Sequence, residues 1–267
     1  MIDAHQHFWR IGANDCSWPT AAEAAIHRDF LPGDWCALAA PLGVTHSLVV
    51  QSQESARDTE WLFELAGAHG FILGVVGWAD LKEGAAWPAS RWLKGLRPMV
   101  QGYAHDWLDD PALDAALHAM AEQGLVFDAL VRPRHLEALE RMALRHPRLQ
   151  IVIDHGAKPD IASGEFGEWR KTVERLAMLP NVACKLSGLL TEAASGQEAE
   201  IAQVGAWLFA RFGPERLIWG SDWPVVELAG TYAGWLGLAQ AIVPTAAHEA
   251  VFGGNARRIY GLTARGP

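Results

Sequence analysis

The chain has 267 residues, half of them hydrophobic, and a formal net charge of −9. That length fits one α/β barrel with a large core, while the acidic balance argues against nucleic acid, whose phosphates require clustered Lys and Arg. No apolar run of about 18 residues suggests a membrane span. The three cysteines, Cys16, Cys36 and Cys184, are odd in number and lack metal-finger spacing, which fits a reducing compartment. The N-terminus lacks a basic start followed by an apolar run, so the protein is expected in the cytoplasm.

The first apolar run, Ile2 to His7, sets His5 and His7 two residues apart. Side chains on a strand alternate faces, so both imidazoles aim the same way. Residues 12–41 then make a long excursion, read as a rim or lid. The second run spans His46 to Gln51, and a capping box at Ser55 and Asp58 opens a helix marked by Trp61, Leu62, Leu65 and Ala66. Ile72 to Trp78 and Gly95 to Pro98 follow. Asp110-Pro111 starts a helix through Leu113, Leu117 and Met120 that Gly124 ends. Gly124 to Asp128 and Gln150 to Asp154 are the next strands. Phe166, Trp169, Val173 and Leu176 mark a helix before Val182 to Leu186, and Ile201, Val204, Leu208 and Phe212 mark another before Leu217 to Gly220. Eight short apolar strands alternating with helices predict a parallel (β/α)₈ TIM barrel occupying residues 1–267 as one domain. An open doubly wound sheet would place a Gly-rich phosphate loop after its first strand, where this chain has His5-Gln6-His7-Phe8-Trp9.

Barrel enzymes carry their chemistry at the C-terminal ends of the strands. There this sequence places His5 and His7, Gln51 followed by Glu54, Trp78, Arg97, Asp154-His155, Lys185 and Ser221-Asp222-Trp223-Pro224. His118, His135 and His146 fall on helical segments and read as solvated surface. Lys185 either points into the pocket mouth or pairs with a carboxylate, because a buried unpaired ammonium is too costly.

Five segments, "IDAHQHFW", "GLRPMVQGY", "IVIDHGAKPD", "NVACKLSG" and "RLIWGSDWPV", lie in that order near strand ends, and "GGNARRIYGL" closes the chain. Together they resemble the amidohydrolase superfamily, in its branch of sugar and dicarboxylate lactonases, and within that branch the L-fuconolactonases. The resemblance implies an amidohydrolase-like barrel that hydrolyses a ring ester. It carries the family's reacting groups over to His5, His7, His155 and Asp222. A divalent metal is not universal in that family, so the resemblance leaves two states open, one zinc ion or a metal-independent site.

Opening a lactone requires a water nucleophile, a group to take its proton, stabilisation of the tetrahedral oxyanion and a proton for the departing alkoxide. Asp222 is expected as the general base. His5, His7 and His155 are expected to donate to the oxyanion or, with Asp222, to ligate the metal. Arg97, Lys185 and Gln51 are expected to touch substrate, with Trp78, Trp107 and Trp223 as aromatic walls. A dicarboxylate needs several cations. Few cations beside aromatic walls suit a neutral sugar lactone such as L-fuconolactone or L-rhamnonolactone. The competing readings are a dicarboxylate lactonase or lactone isomerase on the same barrel, which would need loop cations such as Arg57 or Arg132, and a metal-dependent decarboxylase of the superfamily.

Overall fold

Eight parallel strands pair in sequence order, β1 through β8, in the computed structural model, which describes residues 1–263. The strands are β1 (Ile2–Gln6), β2 (His46–Val50), β3 (Ile72–Gly77), β4 (Leu93–Leu96), β5 (Val126–Ala129), β6 (Ile151–Ile153), β7 (Val182–Leu186) and β8 (Leu217–Trp219). The ring closes between β8 and β1 at the Gln6–Trp223 bridge. Asp222 N–H donates to His5 O (2.7 Å) and His7 N–H to Trp223 O (2.8 Å). This is the expected (β/α)₈ TIM barrel, and only the last four residues of the expected domain lie outside the described residues.

Helices α1 (Pro32–Ala39), α2 (Ala56–Ala68), α3 (Asp114–Gln123), α4 (Leu136–Arg145), α5 (Gly167–Ala177), α6 (Glu198–Phe212) and α7 (Tyr232–Ile242) cover the sheet, and α8 (Asn255–Ile259) follows them. Strand parity divides the core. Ala4, Leu48, Val50, Val126, Val152, Ala183 and Ile218 form one apolar cluster with Tyr260 and Leu262, while alternate residues such as Val49, Val75, Phe127 and Cys184 join the larger cluster with the helices.

Local chemistry moves several expected boundaries. Gly124 caps α3 in the left-handed conformation (φ +67°), so β5 starts at Val126 rather than at Gly124. Strand β4 starts at Leu93 because Leu93 pairs with Val75, and Gly95 lies so close to β5 that a Cβ there would sit 2.6 Å from Val126 O. The capping box of α2 forms only in part. Ser55 Oγ accepts from the N–H groups of Arg57 and Asp58, whereas Asp58 turns to accept from Ser52 and Gln53 N–H. His135 is buried rather than solvated, accepting from Arg132 N–H and facing Tyr103 O.

The excursion at 12–41 folds back over the barrel mouth. Phe30 exchanges backbone hydrogen bonds with Trp9 (3.0 and 3.1 Å), and the buried side chains of Ile26, Phe30 and Trp35 anchor the segment. At its crest the side chain of Gln53 accepts from Ser17 N–H (3.0 Å) and donates to Trp18 O (2.7 Å).

Candidate active site

Strand β1 aims His5 and His7 into the barrel mouth, as the two-residue spacing predicts. Asp222 reaches them from the turn after β8, with its backbone in the left-handed region (φ +59°). That turn is pinned from below by the buried Asp3 carboxylate, which accepts from Ser221 N–H (2.8 Å), Ser221 Oγ–H (2.6 Å), Trp35 Nε1–H (3.2 Å) and Tyr232 O–H (3.0 Å). Gly220 permits the close approach, since a Cβ there would lie 2.5 Å from His5 Cβ. His155 comes from the end of β6, where four successive residues from His155 to Lys158 all have positive φ. Three of them are not glycine, at a cost of about 1–2 kcal/mol each. Such strain persists where the surroundings hold it, characteristically at functional sites. Ser187 Oγ holds His155 Nδ1 at 2.9 Å.

Three imidazole nitrogens converge on one oxygen. Asp222 Oδ1 lies 3.3 Å from His7 Nε2, 3.6 Å from His5 Nε2 and 3.9 Å from His155 Nε2. Burial pushes the Asp222 carboxyl up, but the charge of His155, the hydrogen bond from His7 and the charges of His5 and His7 outweigh it and hold it below the usual carboxylate range. Burial pushes His155 down to about 4 and, reinforced by the Lys185 ammonium, holds His5 well below the usual imidazole range. Asp222 thus favours its ionised form, while burial disfavours the charged form of His5 and His155.

Beneath His5 lies a buried charge network. Lys185 Nζ is 2.5 Å from Asp128, 3.0 Å from Asp154 and 3.1 Å from His5 Nδ1, with both carboxylates and the lysine fully buried. Asp154 also faces His5 Nδ1 at 3.3 Å and Arg97 at 3.6 Å. Burial raises Asp128 to about 6. Burial also raises Asp154, but Lys185 and His5 outweigh it and hold that carboxyl well down.

Above this floor opens a cavity of about 240 Å³. Its wall includes His7, His155 and Asp222, the cations Arg97 and Lys158, and Trp18, Met99, Gln101, Leu130 and Val225. Of the residues expected to touch substrate, Arg97 lines it. The others are corrected by their positions. Lys185 is consumed by Asp128 and Asp154 below the floor. Gln51 is fully buried and donates to Arg97 O (2.7 Å). Trp78 and Trp107 line a separate cleft with Pro98 and Tyr103, outside the mouth. Trp223 is buried against Phe8 and Phe30 and donates to Glu227 (2.7 Å). Glu54 is hydrogen-bonded by Tyr103 Oη, and Arg57 pairs with Asp15. The aromatic wall is instead Trp18, delivered by the excursion. Lys158, three residues beyond His155, was legible only as part of the segment that carries the histidine.

The donor set fits a zinc ion. The Nδ1 of His7 lies 2.8 Å from Val50 O, and a carbonyl only accepts, so this nitrogen carries the proton. The Nε2 of His7 faces Asp222 Oδ1 at 3.3 Å, and the space between them calls for a cation, either a proton on Nε2 or a metal. His5, His7 and Asp222 offer ligand atoms within 4.8 Å of one another, and a set of imidazoles with one carboxylate is zinc chemistry. A guanidinium already stands nearby, with Arg97 Nη1 at 3.4 Å from His5 Nε2.

The model of the family described as "Amidohydrolase" matches residues 2–262. The chain is 47% identical to an L-fucono-1,5-lactonase of Burkholderia ambifaria, covering 97% of this chain and 94% of the relative. It is 34% identical to an L-fucono-1,5-lactonase of Burkholderia multivorans, covering 98% and 96%. Among solved structures, an amidohydrolase from Burkholderia multivorans with bound Zn superposes with a TM-score of 0.91 at 34% identity, covering 98% of this chain and 99% of the other. With a barrel whose strand ends bring His5, His7, His155 and Asp222 together, and a family match spanning nearly its full length, this chain belongs to the amidohydrolase family.

Proposed function

We propose that the protein hydrolyses a sugar lactone to its aldonic acid, with L-fucono-1,5-lactone or an L-rhamnonolactone as substrate. The observation that carries this reading is the Asp222 carboxyl, ringed by three imidazoles at the floor of a cavity whose cations are already partnered. Lys158 faces Glu192 at 3.5 Å, and Arg97 is engaged by Gln51 O and Asp154. A dicarboxylate would find no free pair of guanidinium forks there, whereas a neutral lactone can lay its C–H face on Trp18 and its hydroxyls on the polar wall. The L-fucono-1,5-lactonase relatives support the same choice.

In this mechanism Asp222 takes a proton from water as the water oxygen bonds to the lactone carbonyl carbon. The electron pair of the C=O moves to oxygen. The resulting oxyanion accepts from Arg97 and from His155, which presents Nε2–H when its Nδ1 accepts from Ser187. Collapse breaks the bond between the carbonyl carbon and the ring oxygen, and the ring oxygen takes the proton back from Asp222. The new carboxylic acid then ionises, so each turnover releases one proton. A divalent ion, when bound by His5, His7, His155 and Asp222, would supply Lewis-acid polarisation and a more acidic water. We assign the metal as zinc. The partner is a small-molecule lactone, and the three free cysteines support a cytoplasmic location.

The reading is tested by proton release in weakly buffered indicator with a panel of aldonolactones, a pyrone dicarboxylate and a benzoate. Proton release with L-fucono-1,5-lactone or an L-rhamnonolactone is expected. Turnover of the dicarboxylate alone would move the protein to that branch, isomerisation would release no proton, and CO₂ from the benzoate would mark a decarboxylase.

A further inference from the structure

One residue of the cavity wall carries a polar group that the protein leaves unsatisfied. Gln101 lies in the short turn Val100–Gly102 after β4. Its backbone is fixed, since its N–H donates to Leu130 O (2.8 Å) and its carbonyl accepts from Arg134 (2.7 Å). Gln101 lines the cavity, and its Oε1 is buried with no hydrogen-bond partner among the described residues. A buried amide oxygen without a donor is costly, and such atoms in native proteins mark a place that water or a ligand completes. Strands β4 and β8 are four places apart in a ring of eight. Gln101 follows β4 and Asp222 follows β8, so the two residues reach the same cavity from strands on opposite sides of the ring.

We propose that Gln101 Oε1 accepts a hydrogen bond from a hydroxyl on C3 or C4 of the lactone, the hydroxylated ring carbons not bonded to the carbonyl carbon, and so selects hydroxylated lactones over deoxygenated ones. This rests on the lactonase reading and adds to it the group that reads the sugar. Met99 and Leu130 flank Gln101 with apolar surface and offer that hydroxyl no competing acceptor side chain beyond their thioether. A ring bearing a methylene at that carbon would leave the buried Oε1 unpaired, which is how sites built for a hydroxyl reject analogues that lack it.

The test compares kcat/KM for L-fucono-1,5-lactone with that for its 3-deoxy and 4-deoxy analogues, in the wild type, Gln101→Leu and Gln101→Glu. The wild type is expected to prefer the full lactone over one of the analogues by roughly 10- to 100-fold. Gln101→Leu should bring that ratio close to unity, and Gln101→Glu, which keeps an acceptor oxygen, should retain most of it. The ratio within one variant is independent of the fraction folded, so a loss of stability cannot imitate the result. An unchanged ratio in Gln101→Leu, or a wild type that hydrolyses all three lactones equally, overturns the role of Gln101 while the lactonase reading stands. A wild type that opens no aldonolactone overturns both.

Discussion

Lys185 Nζ lies 2.5 Å from Asp128 Oδ2 at the centre of the barrel, and the same ammonium stands 3.1 Å from His5 Nδ1. The active-site histidine thus rests on a buried ion pair, which Tyr260 completes from the far side by donating to Asp128 Oδ1 (2.7 Å). Both charges are fully removed from solvent, so neither can be left alone.

Lys185→Met is therefore expected to destabilise the fold by about 3–5 kcal/mol, because it strands the carboxylates of Asp128 and Asp154 without their shared cation. Urea unfolding with unchanged slope measures the loss. A cost below about 1 kcal/mol would mean that the two carboxylates are neutral in the folded protein and the network is not ionic.

Asp222→Asn is expected to lower turnover by roughly 10²- to 10⁴-fold, the usual contribution of a general base. The substitution suits the local backbone, since Asn adopts the left-handed conformation of residue 222 readily and the N–H to His5 O is retained. Thermal unfolding should accordingly shift by only a few degrees. Near-normal turnover would remove Asp222 from proton transfer.

Metal-stripped protein is expected to take up a single zinc ion per chain, followed by dialysis and metal analysis, and to gain thermal stability with it, because a ligand that binds only the folded state stabilises it. His7→Ala should weaken uptake at least tenfold, since it removes one of the buried donors around Asp222. Uptake that is equal in His7→Ala and wild type would place the ion elsewhere.

Much of this site was legible before the structure. The period of two made His5 and His7 neighbours, and parallel order in a closed ring brought β8 and Asp222 beside β1. What a strand end does not reveal is depth. Lys185 on β7 and Ser187 just beyond its end share a parity, but only Ser187 is high enough to hold His155, which leaves Lys185 in the core. Nor does it reveal radial direction: Trp78 follows β3 by one residue, its N–H is taken by Thr59 Oγ1 (2.9 Å), and its ring turns into an outer cleft. Trp18 was hidden for a different reason. It belongs to no strand end, and only the return of the 12–41 excursion brings it to the mouth.

That return depends on Gln53. The side chain is buried, accepts from Ser17 N–H and donates to Trp18 O and Ser52 Oγ, so a single amide matches the backbone of the crest in both directions. Trp18 in turn packs edge-on to Trp9, with ring centroids 5.6 Å apart, and faces the cavity. Gln53→Ala should release the crest and cost about 1–3 kcal/mol, the penalty for leaving Ser17 N–H without a partner and the Trp18 carbonyl with only the Cys16 thiol. Because Gln53 itself is not on the cavity wall, its loss acts through Trp18 and should raise KM roughly tenfold with a smaller change in kcat. Gln53→Glu separates the two halves of the latch. Its carboxylate still accepts from Ser17 N–H but meets the Trp18 carbonyl as a second acceptor, so it should behave like the alanine variant rather than the wild type. Parallel measurement of KM, kcat and proteolytic nicking within residues 12–20 checks this. If Gln53→Glu keeps wild-type KM and resistance to nicking, the position of Trp18 is set by its packing on Trp9, and the amide latch is dispensable.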